Sequence, residues 1–127
     1  MPEAPNKHIF MRRVDRDKWL AALRSGDYKQ GRAKLMNSEG GYCCLGVLQM
    51  ALDGCVEMVA ELNESQSYPT IHWLNEHNIV FRDEQGSICR TPYFPRTDTY
   101  ADVLNDHRRM TFLQIADETE AECEVID

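Results

Sequence analysis

The stretch Gly40–Leu52, GGYCCLGVLQMAL, constrains this chain more than any other. From Tyr42 to Leu52 only Gly46 and Gln49 interrupt the apolar run, and a segment apolar on nearly all sides has to be wrapped by other elements. The pattern predicts a central buried helix, entered from a glycine turn and stopped at Gly54. At 127 residues the remainder supplies cover for one such core, so a single domain over residues 1–127 is expected.

The covering elements follow in order. Residues 1–13 carry two prolines and no period and read as an N-terminal arm, with Ile9–Met11 pairing or packing against the body. Asp15 suits the N-cap of a helix over Arg16–Ser25 that buries Trp19, Leu20 and Leu23, with Gly26 as its left-handed stop. Tyr28–Met36 reads as a strand with a bulge at Gly31, turning back through Asn37–Gly41. Val56–Leu62 suits a short helix and Asn63–Ser67 a polar linker. Pro69 fits the first turn of a helix burying Ile71 and Leu74, with Trp73 on its flank. Ile79–Phe81 and Ile88–Arg90 predict a hairpin, and Thr91–Arg96 a loop. A helix from Thr99 to Asn105, capped by Thr97 or Asp98, would bury Tyr100, Val103 and Leu104. Thr111 and Gln114 have capping-box spacing, with Met110 and Ile115 as the flanking staple, and start the last helix. Residues 118–127 read as an acidic, frayed tail. The sum is an α+β fold, helix-dominated, in which the central helix is packed by the Trp19 and Phe112 helices beside a small antiparallel sheet built from Tyr28–Met36 and its neighbours.

Charge narrows the function classes. Residues 1–40 hold nine Lys/Arg and five Asp/Glu, a net of +4, and residues 41–127 hold five and sixteen, a net of −11, which together give −7. An acidic whole argues against general nucleic-acid binding, while a local anion site in the first third stays open. No apolar run is long enough for a membrane span, and MPEAPNKHIF has no secretion signal, so a cytoplasmic location is expected. Five cysteines, two of them adjacent, fit a reducing compartment and buried thiols, and their spacing with the four histidines offers no paired metal ligands. No metal or cofactor is expected.

Three clusters carry potential chemistry. Cys43 and Cys44 stand at the start of the central helix, where the dipole lowers a thiol pKa, so either is the nucleophile of an alternative reading as a small cysteine-dependent hydrolase or transferase. That reading needs a base within reach, for which His72, His77 and His107 are candidates. Tyr28, Lys29, Gln30, Arg32, Lys34 and Tyr42 form the densest basic and aromatic neighbourhood, suited to hold a phosphate or carboxylate, with a solvated strand face as the plainer reading. Asn105–Arg109 mixes polar types at a turn. Six carboxylates in the last eleven residues would imitate a phosphate array or simply keep the end soluble.

The wording WLAALRSGDYKQG (Trp19–Gly31) and YCCLGVL (Tyr42–Leu48), followed by LND (Leu104–Asp106) and TFLQIAD (Thr111–Asp117), resembles small bacteriophage and prophage proteins that have no settled activity. The resemblance implies a phage-encoded accessory protein acting in the cytoplasm of the infected bacterium. With no catalytic set visible, the leading expectation is a non-enzymatic protein that binds and inhibits a host or defence protein, or takes a nucleotide-like ligand. A structural or regulatory phage protein is a further alternative.

Overall fold

The computed structural model describes residues 7–59 and 64–126. In chain order these form β1 (Ile9–Met11), α1 (Arg13–Ser25), α2 (Cys44–Asp53), β2 (Met58–Val59), β3 (Glu64–Ser65), α3 (Ile71–Glu76), β4 (Val80–Arg82), β5 (Ile88–Cys89), β6 (Tyr93–Phe94), β7 (Thr99–Tyr100), α4 (Ala101–Asp106), α5 (Phe112–Glu122) and β8 (Cys123–Val125). The fold is α+β.

Helix α2 is the buried element that the apolar run demands: Cys44 through Gln49 are all shielded, and Gly54 ends the helix in the left-handed region (φ 75°), its N–H bonded to Met50 O. Gln49, fully buried in this apolar company, is satisfied twice by Glu57. Its Nε2 donates to Glu57 Oε1 at 2.8 Å, and its Oε1 accepts from the Glu57 N–H at 2.8 Å. The same carboxylate accepts from Thr70 N–H and Oγ1, which ties the end of α2 to the start of α3.

The helices close a ring. Helix α1 lies between α2 and α5, and α4 bridges α2 and α5 on the other side, so the Phe112 helix rests on α1 and α4 rather than along α2 as the sequence suggests. Trp19 joins the layers: its ring lies 6.2 Å from Phe81 of β4, and its Nε1 donates to Cys44 O at 3.0 Å. Gly26 ends α1 as expected (φ 79°), but the helix begins at Arg13, with Arg12 as an N-cap that makes no side-chain bond. Met11 is pinned in the sheet immediately before it, so the chain passes from strand to helix without needing Asp15 as a cap; Asp15 falls in the first turn, where a carboxylate suits the dipole.

The sheet differs most from expectation. Its order is β5-β4-β1-β8, with β1 antiparallel to β4 and parallel to β8. The arm is therefore an interior strand, with Ile9 and Met11 fully buried. The acidic tail is not frayed: α5 runs to Glu122 and β8 follows. Glu122 is buried and its Oε2 accepts from the His8 N–H (2.7 Å) and lies 2.8 Å from His8 Nδ1. Carboxylate content masked the alternation of Cys123 and Val125, half-buried, with exposed Glu124.

Tyr28–Met36 contributes no strand to this sheet; it forms isolated bridges from Gln30 and Met36 to Tyr42. In place of a helix near Val56 and a linker after Asn63, Met58–Val59 pairs with Glu64–Ser65; residues 60–63 lie outside the described part. Helix α3 is capped by Thr70 and buries Trp73 and Leu74, whereas Ile71 is exposed. The hairpin β4–β5 is present, its turn held by Asp83 Oδ1 accepting from Gln85 and Ser87. Tyr93–Phe94 is not loop but pairs with Thr99–Tyr100 through a turn at Asp98 (φ 52°). That pairing holds Thr97 and Asp98 away from α4, which starts at Ala101 without a side-chain cap and buries Ala101, Leu104 and Asn105, leaving Tyr100 and Val103 half-buried. The capping box of Thr111 and Gln114 is formed, and Ile115 is fully buried with Met110 packed beside the core.

Candidate functional site

Between α1 and α2 the chain makes a loop, residues 28–42, in which backbone crosses backbone. Gly31 N–H donates to Tyr42 O (2.7 Å) and Tyr42 N–H to Lys29 O (2.8 Å). A Cβ on Gly31 would stand 2.7 Å from Gly41 C, and one on Gly46 would stand 1.9 Å from Leu35 O, so glycine at both positions is what lets the loop lie on itself and on α2. Asn37 fastens the turn: its N–H donates to Gly41 O, and its Oδ1 accepts from Glu39 and Gly41 N–H.

The loop is also anchored from a distance. Asn105 is buried and donates Nδ2–H to Gly31 O (2.7 Å) and to Asp106 Oδ1 (2.8 Å), while its Oδ1 accepts from Gln30 Nε2 (2.9 Å). Gln30 also donates to Met110 O at 2.7 Å. The YKQG and LND segments thus meet through the side-chain amides of Gln30 and Asn105.

This geometry divides the six residues singled out in the sequence. Gln30 is a structural link, and Tyr28 and Tyr42 pack edge to face at 5.5 Å, both half-buried. Lys29 is exposed on the loop and reaches Glu39 O at 3.5 Å, bracing the turn. Of the six, Arg32 and Lys34 alone come together on a groove of about 540 Å³, whose other walls include Ala33, Met36, Ser38, Met58, Glu64 and Ser65. Lys34 is paired with Glu64 at 3.1 Å. Arg32 is exposed and makes no hydrogen bond or ion pair among the described residues. Beside it Ala33 holds a left-handed backbone (φ 73°), a conformation that costs a residue with a Cβ. Met58, Glu64 and Ser65 escaped the sequence reading because the β2–β3 pair brings them to the loop. Ser65 does so by bonding Met36 at both ends, accepting from its N–H and donating to its O.

The second candidate lies on the other side of the same loop. Cys43 is the N-cap of α2, its Sγ accepting from Gly46 N–H at 3.4 Å, and Cys44 Sγ donates to Ala101 O at 3.7 Å. Burial pushes the Cys43 thiol up to about 12, outweighing the lowering by the helix-start amides, and raises Cys44 as well. The dipole-activated thiolate expected at this helix start is therefore overruled by desolvation. The histidines proposed as bases are engaged elsewhere: His72 with Glu76, and His77 with Asp53. His107 is exposed at the end of α4.

Among the described residues no group of three His, Cys, Asp or Glu side chains is placed to hold a metal ion, and no helix is long and apolar enough to cross a membrane. A family model described as a domain of unknown function (DUF8296) matches residues 11–53. The match takes in α1, the crossed loop and α2, and so includes Arg32 and Lys34 but stops short of the β2–β3 wall of the groove. No curated protein and no solved structure matches the chain.

Proposed function

We propose that the chain is a non-enzymatic binding protein whose Arg32–Lys34 groove takes an anionic group carried by a partner or by a nucleotide-like ligand. One observation carries the reading: an arginine with no partner among the described residues stands at a groove that also offers the Ser38 hydroxyl and the apolar side chains of Ala33, Met36 and Met58. A guanidinium there gives a phosphate or carboxylate two parallel N–H donors, and Lys34 adds charge by exchanging Glu64 for the incoming anion. The apolar side chains suit a ligand that is not all charge, such as a nucleobase with its phosphate.

The finer reading rests on the resemblance of the Trp19–Gly31, Tyr42–Leu48 and Leu104–Asp117 wording to phage and prophage proteins. It makes the chain a phage accessory protein that inhibits a host or defence component in the bacterial cytoplasm. Capture from a bacterial lysate tests it, with the parent, Arg32→Glu and Cys43→Ser chains as parallel baits. A partner retained by the parent and Cys43→Ser but lost by Arg32→Glu is the expected result. A partner held equally by all three would remove the groove from the proposal.

A further inference from the structure

A second groove, of about 670 Å³, lies between the first turns of α1 and the residue after β8, and shares no residue with the Arg32 groove. Its apolar surface comes from Val14, Ala21 and Ile126, and its cations from Arg12, Arg13 and Lys18. Two features set it apart from an ordinary solvated helix face. Val14 is 56% exposed and Ile126 43% exposed, and the fold leaves both large aliphatic side chains uncovered in the same depression. Around them the side chains of Arg12 and Lys18 have no hydrogen-bond or ion-pair partner among the described residues, while Asp17, the acid of the lining, is engaged by Arg16 at 3.0 Å.

Helical spacing explains the arrangement. Trp19, Leu20 and Leu23 take the buried side of α1, so Val14, Lys18 and Ala21, at i, i+4 and i+7, form a stripe on the outer side. The first turn has no side-chain cap, and its amides add the positive end of the helix dipole to the same place. The adjoining strand β8 is the edge of the four-stranded sheet.

We propose that this groove docks an acidic, aliphatic peptide segment of a partner protein. Carboxylates of the segment would face Arg12, Lys18 and the amides that open α1, and a Leu or Ile side chain would lie between Val14, Ala21 and Ile126. Charge complementarity selects this occupant. On a chain of net charge −7 a long polyanion meets repulsion beyond the groove, whereas a short acidic segment feels the local cations alone.

The probe is a fluorescein-labelled peptide of Glu, Asp, Leu and Ile, titrated with the full chain by fluorescence anisotropy. Saturable binding is expected, weakened about tenfold or more by Lys18→Glu and likewise by Val14→Ser, with melting temperatures unchanged because both side chains are exposed. Arg32→Glu should bind the peptide like the parent, which separates this surface from the groove of the proposed function. No saturable binding, or binding that Lys18→Glu leaves intact, would overturn the proposal. So would pelleting of the chain with phosphatidylglycerol vesicles that the peptide fails to compete away, or a Val14-dependent dimer in sedimentation velocity.

Discussion

The two sides of the 28–42 loop present opposite environments within a few residues of each other. On one side Gly31, Leu35, Gly41, Cys43 and Cys44 are buried where backbone crosses backbone, and both thiols are hydrogen-bonded there, Cys43 to Gly46 N–H and Cys44 to Ala101 O. On the other, Arg32 and Ser38 face solvent at the edge of a groove, and Arg32 has no partner among the described residues. The thiols have the more reactive intrinsic chemistry and the worse location. Desolvation raises their pKa and so suppresses the thiolate, whereas an exposed guanidinium keeps both its charge and its donors. Placement decides which of two chemically suggestive clusters is available to a ligand.

The sealed side is broken most severely by Gly46→Ala. Alanine is the better helix former by about 1 kcal/mol, but its Cβ would meet the Leu35 carbonyl at 1.9 Å, and neither backbone can retreat. A net loss of about 3 kcal/mol or more is expected in denaturant unfolding, or failure to fold. Asn105→Ala comes next. It removes three hydrogen bonds and leaves the Gly31 carbonyl buried without its donor, so a loss of about 2–3 kcal/mol is expected. An unmoved unfolding midpoint for Asn105→Ala would show that the loop holds its shape without that anchor.

Thr111→Ala gives a scale from a site where only local bonds to Gln114 are at stake. Its hydroxyl accepts from Gln114 N–H at 3.2 Å, and its loss should cost about 1 kcal/mol. The smallest effect is a pH dependence at the far end of α2. His77 Nε2 lies 2.8 Å from Asp53 Oδ1 and its Nδ1 lies 2.9 Å from Trp73 O, so both ring nitrogens face acceptors and only the imidazolium can donate to both. Burial works to lower the His77 pKa, but these bonds outweigh it and the net shift is upward from 6.5. Burial likewise works to raise Asp53, yet the bonds from His77 and Trp73 leave it below 3.8. The contribution of His77 is then full below pH 6.5 and fades as pH rises through its folded-state value; that of Asp53 is full above pH 3.8 and fades as pH falls through its lowered value. Both groups are partly exposed, so the effect stays below about 1 kcal/mol. His77→Gln should flatten the fall in stability on going from pH 6 to pH 8; an unchanged pH profile would show that the pair contributes nothing.

Local signals in the sequence were faithful where a single segment contained its own explanation. The apolar run of α2, Gly26 and Gly54 as stops, the capping box at Thr111 and the hairpin between the Phe81 and Ile88 segments all stand as read. What escaped was set by partners far along the chain. Ile9–Met11 pairs, as its sequence allowed, but its place as an interior strand depends on Cys123–Val125 returning beside it, which a tail dominated by carboxylates hides. Tyr28–Met36 fails as a strand because Asn105 and Gly46 accept it as a crossed loop. The same loop geometry places only Arg32 and Lys34, of the six residues singled out, on one groove, beside Met58, Glu64 and Ser65 from the β2–β3 pair.

The contrast between the open and sealed sides is tested most directly by a ¹⁵N-resolved NMR titration of the chain with inorganic pyrophosphate, repeated on Arg32→Glu. Saturable shifts of the Arg32, Ala33, Asn37 and Ser38 amides are expected in the parent, with still amides at Cys43 and Cys44, and no saturable response in the variant. Shifts centred on Cys43 and Cys44, or an identical response from Arg32→Glu, would contradict that contrast.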